Sequence, residues 1–180
     1  GIPWRPCGLG TGTLARIEGA QPGRTILLRG DIDALSVNEE TGLPYASEVP
    51  GVMHACGHDC HISMLLTAAM IVNEIRDRLK GTIVFAFQPA EELGLGARAM
   101  IEEGALEGVD ACFGMHVWSD YPAGTIALRK GPMMASGDQF KIHVRGKSTH
   151  GAQPQLGADA LIMGAAIAQN LQTICLLYTS

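Results

Sequence analysis

The stretch HACGHDCH, residues 54–61, holds three histidines, two cysteines and an aspartate in eight positions. Thiolate, imidazole and carboxylate together form a donor set suited to zinc or a similar borderline divalent metal. Only Gly57 separates Cys56 from His58, and glycine lets a turn fold tightly enough for both side chains to reach one side. The competing reading is a loop with a buried thiol and a helix-capping imidazole. Residues elsewhere in the chain weigh on the choice. Asp31 and Asp33 end the apolar run TILLRGDID (25–33), Glu91 and Glu92 follow GTIVFAFQP (81–89), and His116 stands near the end of VDACFGMHV (109–117). Ligands of open α/β sheets bind beyond the carboxyl ends of the strands, so polar groups gathered at those ends favour a metal site.

Glutamate pairs occur at 39–40, 91–92 and 102–103, but only Glu91-Glu92 directly follows a buried run. Adjacent carboxylates there repel unless a cation sits beside them. Neighbouring residues leaving a strand point different ways, so one can ligate while the other faces substrate. A free carboxylate beside a metal-activated water is what a hydrolase needs as general base. A lone His at a strand end is more often a satisfied core residue, and His116 is raised to a candidate ligand by its alignment with the other tips. Asp31 and Asp33 share a face at spacing two. One of them can ligate or hold a ligand histidine by a hydrogen bond, and the alternative is a salt bridge to Arg29. Asp59 is the expected N-cap of the following helix. His54 and His61 are expected to frame the site, and Cys60 to pack on the helix. Trp118 and Tyr121 suit a pocket lining or the core equally. His143 reads as structural, and GLG at 94–96 is too weak for a phosphate loop.

These groups need elements to position them. The runs at 25–33, 81–89 and 109–117 read as strands, with a fourth at AGTIALRKG (123–131). GTGTLARIEG reads as a further strand near the start. DCHISMLLTAAMIVNEIRDRL has helical period from about Asp59, and GARAMIEEGAL is a short helix. Alternating strands and helices imply an α/β layer with a mainly parallel sheet sandwiched by helices. Near Met134 the texture changes. SGDQFKIHVRGKS (136–148) alternates like an antiparallel strand, and GADALIMGAAIAQNLQTI is a helix. The expected domains are therefore 1–133 and 134–180, the second being α+β and incomplete. CLLYTS (175–180) breaks the helical pattern and reads as a non-native tail, and both ends read as truncated.

With 180 residues, 47% hydrophobic and 17% charged, the chain can bury a core. A net charge of −5 without a basic block argues against nucleic acid and anionic membranes as partners. The longest apolar run is too short to span a bilayer. Five cysteines, an odd number, argue against a disulfide framework and for a reducing, cytoplasmic setting. The Cys56-x3-Cys60 spacing is not that of the redox motif.

LRGDIDAL, GVMHACGHDCH, FQPAEELGLGARAMIEEG and GMHVW, in this order, resemble the successive signatures of the M20 metallopeptidases. The nearest branch is the amidohydrolases that cleave N-acyl amino acids, which includes hippurate hydrolases and N-acetyldiaminopimelate deacetylases. The resemblance covers about residues 10–174. It implies a zinc-exopeptidase-like catalytic domain, the start of a lid domain that mediates homodimerisation, and two divalent metal ions, zinc or manganese. It implies that Cys56 bridges the metals and that His58, Glu92 and His116 ligate them. It makes Glu91 the general base and Asp33 the acid supporting the site. His150 matches a lid histidine that reaches the neighbouring subunit's site and stabilises the reacting carbonyl. The implied reaction is amide hydrolysis of an N-acyl amino acid to a carboxylic acid and a free amino acid. A dipeptidase or carboxypeptidase of the same superfamily, or a non-catalytic metal-binding remnant, is the alternative. Ser36 and Cys60 depart from the family pattern, and a further histidine ligand of the family has no counterpart in these residues.

Overall fold

The computed structural model describes residues 1–135 and 140–178, with side chains through residue 174. It divides into two compact units, Gly1–Thr125 and Ile126–Ser180. The first is built on strands β1 (Trp4–Pro6), β2 (Thr13–Glu18), β3 (Gln21–Asp31), β4 (Lys80–Gln88) and β5 (Ala111–Gly114). Their order in the sheet is β1-β2-β4-β3-β5. β4, β3 and β5 run parallel, as strand–helix alternation predicts, and β2 and β1 extend the sheet antiparallel.

Helix α1 (His58–Glu74) covers one face and the short α2 (Gly96–Glu102) the other. Strand alternation decides which residue meets which helix. Val84 and Ala86 join Leu27, Cys7 and Met100 of α2, whereas Phe85 joins Ala15, Ile17 and the α1 residues Leu65 and Ala69. Along α1 the buried positions are His58, His61, Leu65 and Ala69, spaced three or four apart as one helix face requires. Two histidines thus open a stripe that becomes aliphatic one turn later. Gly30 of β3 lets the helix press close: a Cβ there would stand 3.2 Å from the His61 carbonyl oxygen.

Several expectations need correction. Asp59 is not the N-cap of α1. Gly57 takes that position at φ 80°, without a side-chain cap. The strand expected over 109–117 pairs only from Ala111 to Gly114, because its register with β3 ends at Arg29. Residues 123–131 form no strand. Ile126 and Leu128 are about four-fifths exposed (80% and 82%), and a strand needs a ladder partner that the alternation alone does not supply.

In the second unit, residues 136–139 of the expected strand lie outside the described residues. Over 140–148 there is only an isolated bridge from Lys147 to Ala158, and His143 is exposed. Helix α3 (Ala160–Tyr178) runs past Ile174, where a break was expected. CLLY contains neither Gly nor Pro to stop it. Asp159 caps the helix start by accepting the Leu161 and Ile162 amides at 2.9 and 3.1 Å. Among the described residues no helix is long and apolar enough to cross a membrane.

Candidate metal centre

The parallel register aligns the carboxyl ends of three strands. Asp31 is opposite Gln88, and Arg29 is opposite Gly114. Asp33, Glu91-Glu92 and His116 follow those ends, the turn before α1 adds Cys56, and the start of α1 adds His58 and His61.

His58 is the meeting point. Its side chain is fully buried. Nδ1–H donates to the Asp33 carbonyl at 3.0 Å and lies 3.2 Å from Asp33 Oδ1. A carbonyl can only accept, so Nδ1 carries a proton, and in the neutral ring the lone pair is on Nε2. That nitrogen has no hydrogen-bond partner. Around it stand Asp31 Oδ2 at 3.6 Å, Glu91 Oε2 at 3.8 Å and Glu92 Oε1 at 3.8 Å. Asp33 also accepts the Glu92 amide N–H at 3.0 Å, so one carboxylate orients two expected ligands.

On the other side, Cys56 Sγ lies 3.5 Å from His116 Nε2. His116 donates Nδ1–H to the Val117 carbonyl at 2.6 Å, which leaves Nε2 facing the thiol. Burial pushes the Cys56 thiol up to about 11, helped by a hydrogen bond to Glu92 and the charges of Glu92, Glu91 and Asp31. The Trp118 ring stands edge-on to His116, with centroids 6.0 Å apart.

Asp31 is fully buried, and its partners explain how it keeps a charge. Burial alone would raise its carboxyl. The His61 hydrogen bond and the neighbouring Arg29, His58 and His61 outweigh burial and hold it below the usual range. Arg29 Nη1 lies 2.8 Å from Oδ2, an ion-pair contact out of line for a hydrogen bond. Arg29 is braced in turn by Nε donating to Gln88 at 2.7 Å. The salt bridge considered for Asp31 or Asp33 is therefore made by Asp31.

The turn between β4 and α2 presents the glutamates. Ala90 adopts φ 48°, a strained value for a residue with a side chain. Its carbonyl accepts the Leu95 and Gly96 amides, and Gly94 N–H donates to the Glu91 carbonyl at 2.8 Å. A Cβ at Gly96 would meet the Pro89 carbonyl oxygen at 1.5 Å, so the turn closes only around glycine.

These residues fit divalent cations. Ligand atoms of Cys56, His58 and His116 lie within 4.8 Å of one another, as do those of His58, Glu91 and Glu92, and those of Asp31, His58 and His61. Zinc ligands at roughly 2.0–2.3 Å from the ion stand about 3–4 Å apart, so small side-chain adjustments close the first two sets. Soft and hard donors, a bare imidazole nitrogen and crowded carboxylates call for positive charge.

All expected ligands are thus brought together, with Asp33 behind them. His150 lies in the second unit, exposed, with Nδ1 accepting the Ala152 amide at 3.1 Å. Cys60 is exposed rather than packed on the helix. Sequence reasoning undervalued His61, which pairs with Asp31. The available signal was its spacing of three from His58 on a helix whose next buried positions are aliphatic.

The family model for peptidase family M20/M25/M40 matches residues 27–174. The chain is 50% identical over 174 residues to the N-acetyl-L-cysteine deacetylase of Bacillus subtilis (strain 168), covering 97% of this chain and 42% of that protein. It is 48% identical over 169 residues to thermostable carboxypeptidase 1 of Saccharolobus solfataricus, covering 93% and 43%. The crystal structure of the Bacillus subtilis YXEP protein, described as a dinuclear metal binding peptidase, superposes with a TM-score of 0.70 at 50% identity, covering 73% and 37%. The chain spans less than half the length of the curated relatives it matches.

Proposed function

The chain belongs to peptidase family M20/M25/M40, and from that membership we propose that it supplies the metal-holding part of an amidohydrolase. The reaction is cleavage of an N-acyl amino acid to a carboxylic acid and a free amino acid. The observation that carries the proposal is His58 Nε2, buried and without a hydrogen-bond partner, facing Glu91 and Glu92 beside the Cys56–His116 pair.

Cys56, His58, Glu92 and His116 are the proposed ligands, which would hold two divalent ions, zinc or manganese. When bound, such ions polarise a carbonyl and lower the pKa of water. Asp33 keeps the His58 Nδ1–H in place, so that Nε2 stays available for coordination. Glu91 is left as the free carboxylate. It takes the water's proton at a carboxylate oxygen and returns it to the leaving amine. His150 is assigned to the oxyanion of the reacting carbonyl in a second copy's site, with 134–180 as the start of a lid and dimerisation domain. A reducing cytoplasmic setting suits a Cys56 that is not in a disulfide.

Glu91→Gln is the direct test. It should lower turnover of N-acetyl amino acids by at least about a thousandfold, within the range for lost general-base catalysis and positioning. Metal content by elemental analysis should remain unchanged, and near wild-type rates would remove Glu91 from the role. The carboxypeptidase reading is favoured by the names of two relatives. A panel of N-acetyl amino acids against dipeptides and peptides separates the two.

A further inference from the structure

His61 has no place among the proposed ligands, although one of its ring nitrogens lies within 4.8 Å of possible ligand atoms of Asp31 and His58. Both nitrogens are already engaged. Nδ1–H donates to Asp31, and Nε2 accepts the Val117 amide N–H at 2.9 Å. His58 and His116 differ in this respect: each donates Nδ1–H to a backbone carbonyl and turns Nε2 towards the other donors.

We infer that His61 is a positioning residue that fixes the Val117 backbone and thereby sets the ring of His116. The inference rests on the proposed function, because His116 must be a ligand for the position of its ring to matter. Ladder pairing of β5 stops at Gly114, so residues 115–117 have no strand neighbour to hold them. The His61–Val117 bond takes the place of that ladder. Val117 then passes the constraint on, since its carbonyl accepts His116 Nδ1–H at 2.6 Å. Its side chain is held against the turn, where a Cβ on Gly57 would come within 2.5 Å of Val117 Cγ2. The His61 ring also meets His116 edge-on at 4.7 Å and stacks on His58 at 5.4 Å. The imidazole itself is anchored in the sheet through buried Asp31 and Arg29.

Two substitutions in the intact protein test this with cobalt(II) as the probe. His61→Asn keeps a donor for Asp31 but is too short to offer the Val117 amide an acceptor. His61→Gln carries a donor and an acceptor with longer reach. The expected result for His61→Asn is a cobalt affinity roughly 10–100-fold weaker, as for other groups that orient a ligand. Its visible cobalt bands and thiolate charge-transfer band should shift, while its far-UV circular dichroism stays that of wild type. His61→Gln should recover most of both signals. A purely structural role would lower the melting temperature without moving the cobalt spectrum of the folded fraction, and that result overturns the inference. So does wild-type affinity and spectrum in both variants. If the wild-type protein takes up no cobalt, the proposed function itself fails, which is a different outcome from an unchanged His61→Asn.

Discussion

Cys56 is held as a neutral thiol by burial and by the same acids that make the site attractive to a cation. Its pKa of about 11 stems first from burial, then from Glu92, Glu91 and Asp31. A cation reverses the sign of that local field, and the thiol gives up its proton on binding. Below pH 11 affinity should therefore rise with pH by about tenfold per unit for this one proton. Metal titration near neutrality in weak buffer should release about one proton more from wild type than from Cys56→Ala. Equal release would mean that the thiol is not a ligand. The donors themselves were legible in the sequence because their chemistry is local: Cys-x-His across a glycine, and acids after apolar runs. The division of labour between Asp31 and Asp33 was not. Both leave the same strand end on one face, and only the packed helix shows that Asp31 meets His61 while Asp33 meets His58.

Elements present these residues through two turns that only glycine allows. Gly57 stands at φ 80° against Val117, and Gly96 sits beneath the Pro89 carbonyl. Gly96→Ala should open the turn that carries Glu91 and Glu92, at a cost of roughly 1–3 kcal/mol in stability. Metal stoichiometry should fall while far-UV circular dichroism changes little; full stoichiometry would show that the turn tolerates the methyl group. The long elements, β3, β4, α1 and α3, were readable from hydrophobic period. β1 was missed because it is only three residues long, all exposed, and recognisable only by pairing with β2. The expected strand at 123–131 failed for the converse reason: alternation creates a face but not a neighbour to bond with.

At the scale of the whole molecule, the centre joins the strand ends of the first unit to the first turn of α1. A bound cation links these segments in the folded state and has no such set to join in the unfolded chain. Metal should therefore stabilise folding, by about 2.7 kcal/mol when its free concentration is about a hundred times the dissociation constant. A strong chelator should lower the melting temperature of the intact protein, and added zinc or manganese should restore it. No shift in either direction would mean that the cation does not bind the native state preferentially. The family and α/β class were legible from motifs in order, whereas the extent of each unit depends on contacts between residues far apart in sequence.

The three carboxylates gathered around His58 Nε2 also impose an order of arrival. An N-acyl amino acid carries its own carboxylate, so the metal-free centre, crowded with carboxylates, repels the molecule that the proposed function assigns to it. Under the proposed function, cation first and substrate second would then be the productive sequence. Calorimetry should find no binding of a slowly cleaved N-acyl amino acid to chelated protein, and comparable binding with and without metal would contradict this order. A cell short of the metal would then hold this protein idle, without substrate trapped in it.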